Sequence, residues 1–123
     1  MTVTVACNES ADSCANGTMT TAGSAQFTAI GDTATLTPSE TPASTYTLKS
    51  DTCNTTDDPS AGGNWATFSP GVGHSGSSFT VTAENAGANG NPAKCQAVIS
   101  DAFGQTVTID IGVTLSNIGI NKQ

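Results

Sequence analysis

The sequence predicts an all-β fold, a sandwich of seven to eight short antiparallel strands, and three observations carry that prediction. Apolar residues recur at every second position in several short runs. Turn residues separate those runs at intervals of roughly ten residues. Thr and Ser stand where other soluble domains place charge. The 123 residues include 21 Thr, 13 Ser and 13 Gly but only 11% charged residues, against ~25% in an ordinary soluble domain. Small and β-branched residues at this density oppose helices and suit strands.

In chain order, Val3 to Val5 begins a strand, and Gln26 to Ile30 and Ala34 to Thr37 alternate on either side of a Gly31-Asp32 turn. Tyr46 to Lys49 follows the loop Pro38 to Ser44. Trp65 to Ser69 is stopped by Pro70-Gly71, and Phe79 to Ala83 alternates cleanly before a long loop from Glu84 to Ala93. Cys95 to Ser100 and Thr106 to Leu115 are joined by Asp101-Ala102-Phe103-Gly104-Gln105, which predicts an antiparallel hairpin. The last run is the clearest. Val107, Ile109, Ile111, Val113 and Leu115 occupy alternate positions, which a strand gathers on one face and a helix would scatter around its circumference. No linker, repeat or charge run divides the chain. One domain of this length buries roughly two-thirds of its unfolded surface.

Charge narrows the function. Ten Asp and Glu against three cations, Lys49, Lys94 and Lys122, give a net charge of −7. Without Arg or a basic cluster there is no footprint for nucleic acid or for an anionic membrane surface. No apolar run approaches the ~18 residues that span a bilayer. The opening Met1 to Val5 has no basic start, no long apolar stretch and no cleavage site. The expectation is a chain that is not Sec-exported, or one whose signal has been replaced.

Three pieces in order resemble bacterial immunoglobulin-like domains, found in tandem on surface proteins and on tailed-phage virions. Trp65-Ala66-Thr67-Phe68-Ser69-Pro70-Gly71 is similar to their strand and turn "ATVSPxxG", and Ser78 to Ala83 to their "xFTVTA" strand. Cys95 to Thr108 is similar to their "CxxxxSDxxGQTxT" hairpin. The resemblance implies an immunoglobulin-like domain over residues 25–115, preceded by an N-terminal extension over 1–24 and followed by a tail over 116–123. Met1 to Gly23 and the loop Asn85 to Lys94 depart from the simple domain.

Four cysteines allow three connectivities, with free thiols or a metal site as rivals. Cys7 and Cys14 lie close enough in sequence to pair locally. The close-spaced pairs that zinc uses are missing. The immunoglobulin-like layout makes the Tyr46 and Cys95 strands antiparallel neighbours, which implies a bridge between Cys53 and Cys95.

Other chemistry is sparse. His74, the single histidine, lies in Gly73-His74-Ser75-Gly76-Ser77, one position away from a Gly-x-Ser-x-Gly elbow and without its strand–turn–helix setting. Asp51, Asp57 and Asp58, with Asn54, Thr55 and Thr56, offer oxygen donors for calcium, though not at EF-hand spacing. A single Trp and a single Tyr make a poor carbohydrate platform. The sequence therefore predicts no cofactor and no enzyme.

The expected role is a structural or accessory protein on a surface, as a phage capsid decoration or small fibre-like virion component. The alternative is a module of a bacterial adhesin or surface stalk, and a third reading is a small secreted hydrolase or sugar-binding module. The expected partner is a protein, either the capsid or sister subunits, with a homo-oligomer as one form. Attachment is expected at the N-terminal extension and at the tail, where Ile118 and Ile120 are apolar near the chain end.

Overall fold

The computed structural model describes residues 1–7, 17–19, 22–27, 30–85 and 93–113. Nine strands form among them: β1 (Thr2–Cys7), β2 (Gly17–Met19), β3 (Ala22–Phe27), β4 (Thr33–Ser39), β5 (Thr47–Asp51), β6 (Ala66–Ser69), β7 (Phe79–Ala83), β8 (Ala93–Ser100) and β9 (Thr106–Val113). They make a five-stranded sheet in the order β2-β1-β4-β7-β6 and a four-stranded sheet in the order β3-β9-β8-β5. With β2 and β3 set aside, β1-β4-β7-β6 opposite β5-β8-β9 is the strand order of a constant-type immunoglobulin sandwich.

Alternation builds the core from both sheets. In β9, Val107, Ile109, Ile111 and Val113 are buried, as the period of two predicts, and Leu115 lies outside the described residues. Ala34 and Leu36 of β4, Phe79 and Val81 of β7, and Ala97 and Ile99 of β8 supply facing inner surfaces. The β8–β9 ladder runs from Ala93 opposite Val113 to Ser100 opposite Thr106 and leaves Asp101 to Gln105 as the hairpin turn. Gly104 sits there at φ 87°, a conformation that other residues rarely adopt.

Two features depart from the sequence reading. One pair is parallel: β3 lies along β9, from Ala22 opposite Thr108 to Phe27 opposite Val113. The strand expected over Gln26 to Ile30 is therefore found earlier. Ile30 and Gly31 form a turn, with Gly31 at φ 91° and its N–H on the Ala83 carbonyl at 2.8 Å. The N-terminal residues also belong to the sandwich itself. β1 pairs with β4 over six residues, Val3 and Val5 are fully buried, and the expected boundary between residues 24 and 25 falls inside β3. Pairing partners of this kind depend on distant sequence, which local alternation does not encode.

Cys53 and Cys95 form a disulfide with Cα atoms 5.0 Å apart. β5 and β8 are antiparallel neighbours, as the layout required, and the bridge closes their ladder just beyond Asp51 opposite Ala97. It lies within one sheet, whereas the bridge of antibody domains joins two sheets.

Candidate functional site

Polar chemistry gathers at the two ends of the sandwich. At the disulfide end, β5 finishes with Asp51, which is 3% exposed. Its Oδ1 accepts the Cys53 N–H at 2.8 Å, a tight turn in which an Asp side chain replaces a backbone acceptor. The Cys53 carbonyl then receives the N–H groups of Trp65, at 2.7 Å, and Ala66. The segment between them is held by buried Asn54. Its Nδ2 donates to Asp57 Oδ2 and to the Ala66 carbonyl, both at 3.0 Å, and its Oδ1 accepts the Asp57 N–H.

Asp51 Oδ2 is buried and meets no donor. Its neighbour is the carboxyl of Asp57. Burial, and after it the hydrogen bond with Asp57, push the Asp51 carboxyl up to about 7. Below neutrality the protonated form of Asp51 is thus favoured, and it is the form that can offer a hydrogen to Asp57. Beside this turn lies an open depression of about 540 Å³ lined by Asn54, Asp57, Asn64, Phe68, Glu84 and Asn85. Its polar groups largely serve one another: Thr67 Oγ1 donates to Glu84 Oε2 and Asn85 Nδ2 to the Asn64 carbonyl, each at 2.8 Å.

At the hairpin end, Asp101 is 8% exposed. Its Oδ1 accepts the N–H groups of Phe103 at 2.9 Å and Gln105 at 2.8 Å, which folds the β8–β9 turn around it. Glu40, just past β4, brings a second carboxyl against it from the other sheet. Burial and the hydrogen bond to Asp101 raise the Glu40 carboxyl. Burial works against the charge on Asp101 too, but the Gln105 amide, Glu40 and the Phe103 amide outweigh it and hold that carboxyl below its ordinary value. Phe103, at the tip of the same turn, is 63% exposed. It and Ile30, at the opposite end, are the exposed large apolar side chains among the described residues.

The structure places the sequence-predicted residues unevenly. Cys53 and Cys95 are joined. Cys14 and the Cys7–Cys14 pairing lie outside the described residues, as do Ile118 and Ile120. Asp51 and Asp57 are brought together, but Asp58 turns to cap the Ser60 N–H at 2.9 Å. Among the described residues no three His, Cys, Asp or Glu side chains converge to hold a metal. His74 is exposed, and its backbone is what the fold uses: the carbonyl accepts the Leu48 N–H and the N–H reaches the Gly71 carbonyl. Sequence reasoning passed over Glu40 entirely, because its partner lies sixty-one residues away on the other sheet.

No family model, curated protein or solved structure matches the chain. No helix among the described residues is long and apolar enough to cross a membrane.

Proposed function

We propose that this chain is a non-enzymatic structural module displayed on an exterior surface, with a tailed-phage virion as its setting, where it decorates the capsid or forms a small fibre-like part. The observation that carries this reading is the immunoglobulin-type strand order clamped by the Cys53–Cys95 bridge. Such a frame is rigid and presents its end loops to a partner. The buried carboxyls Asp51 and Asp101 work inside turns by taking backbone N–H groups. Contact with the partner belongs at an end of the sandwich, and exposed Phe103 is the apolar anchor. Residues 2–7 are part of the frame, because β1 contributes Val3 and Val5 to the core.

A second reading, a module of a bacterial adhesin or stalk, is favoured by the bridge itself, since such bonds persist in oxidising compartments. Immunogold labelling with an antibody to this chain separates the two. Label on assembled virions supports decoration and label on intact cells supports the stalk. Label confined to the cytoplasm overturns surface display.

A further inference from the structure

We infer that the Phe103 ring of one copy seats in an apolar groove on a second copy of this chain, making a reciprocal two-fold dimer through the hairpin end of the sandwich. The inference deepens the reading above, since it rests on Phe103 as the contact residue and names its partner. The groove, of about 470 Å³, is walled by Pro38, Ala43, Ser44, Tyr46, Ser75 and Gly76, and its exposed wall is mainly apolar. The Tyr46 hydroxyl offers nothing to that wall, because its oxygen is buried. Such a surface suits an apolar group, and a phenyl ring is within its size.

Ring and groove lie side by side. Ser44 Oγ accepts the Ala102 N–H at 2.9 Å, which ties the β8–β9 turn to the groove wall one residue before Phe103. The ring nevertheless stays 63% exposed and takes no part in lining its own groove. A surface that carries a knob beside a hole is self-complementary. A two-fold axis between two such copies seats both rings at once and closes the assembly at two.

Charge selects the same partner. Each copy carries −7, so copies repel wherever carboxylates approach, and close contact needs an uncharged patch. The described residues that wall the groove carry no charge, and neither do Ala102, Phe103 and Gly104 beside it. A cationic partner, which the chain attracts in general, finds no carboxylate in this groove to pair with. Two ring-sized contacts make a small interface, so the expected dissociation constant is on the order of 0.1 mM.

Sedimentation equilibrium over a concentration series reaching about 1 mM, at low and at high sodium chloride, reads the association. The wild type should pass reversibly from monomer to dimer, and more readily as salt screens the repulsion between like-charged copies. Phe103→Ser, and Ala43→Glu in the groove wall, should each weaken association by about tenfold or more. Ile30→Ser, at the opposite end, should leave it unchanged. All three positions are exposed, so the variants should keep the cooperative urea transition of the wild type. Amide NMR then locates the contact. Labelled Phe103→Ser, which keeps the groove, should show shifts at Ser75 and Gly76 when titrated with unlabelled Ala43→Glu, which keeps the ring. The same labelled chain titrated with unlabelled Phe103→Ser should show none. A monomer at every concentration, a dimer weakened by salt, a dimer undiminished in Phe103→Ser, or no shift in the mixed titration overturns the inference. None of these results bears on surface display, which the immunogold label decides on its own.

Discussion

Replacing Asp51 with Asn exchanges a proton-dependent hydrogen bond for a permanent one. In the wild type Asp51 Oδ1 holds the Cys53 N–H, and Oδ2 has no donor unless Asp51 itself carries the proton shared with Asp57. In the Asp51→Asn variant the side-chain amide keeps the first contact through its oxygen and supplies an N–H to Asp57 at every pH. The Asp51 carboxyl lies at about 7 in the folded chain against an ordinary 3.8. The folded state thus holds a proton that the unfolded state has released, and stability falls as pH rises from about 4 to about 7. At ~1.4 kcal/mol per pKa unit, the shift sets a ceiling of ~4 kcal/mol on that loss. Asp57, the neighbouring carboxyl, is exposed to water that screens the pair, which leaves ~1–3 kcal/mol for the group itself.

Urea unfolding followed by Trp65 fluorescence, at about pH 4.5 and about pH 8, measures the difference. Wild type and Asp51→Asn should agree within ~0.5 kcal/mol at the lower pH, and the variant should be more stable by ~1–3 kcal/mol at the higher. An Asn variant that is less stable at the higher pH, or that keeps the full pH dependence of the wild type, would refute the shared proton.

Other perturbations test the frame. Ile109→Ala should cost ~2–5 kcal/mol in the same assay and Thr108→Ala under ~1 kcal/mol, since Ile109 is fully buried and Thr108 lies on the opposite face of β9. Removing the Cys53–Cys95 bridge, which closes a separation of 42 residues, should cost up to ~4 kcal/mol by loop entropy, read as the stability difference between oxidised and reduced chain. Gly63→Ala should shift Trp65 emission to the red and cost ~1–3 kcal/mol, because a Cβ at Gly63 would overlap the indole ring. Deleting the first seven residues should unfold the domain, seen as loss of the cooperative urea transition, because it removes β1 from between β2 and β4.

Much of this fold is written in local pattern. The alternation of Val107 to Val113 and of Phe79 to Ala83 determined both strand and buried face, because a pleated strand turns every second side chain the same way. The turn residues between Ser100 and Thr106 determined the hairpin, since a five-residue connection with a glycine at positive φ leaves antiparallel pairing as the simple outcome. Composition determined the sign of the charge, ten acidic side chains against three Lys. Only the tertiary structure decided which strands meet. The parallel pairing of β3 with β9 and the place of β1 beside β4 join segments more than twenty-five residues apart, and local alternation carries no address for a partner. The carboxyl pairs follow the same logic. Asp51 and Asp57 are near in sequence and were legible as a cluster. Glu40 met Asp101 only when the two sheets closed, and that closure is what took water away from Glu40 Oε1 and Asp101 Oδ2.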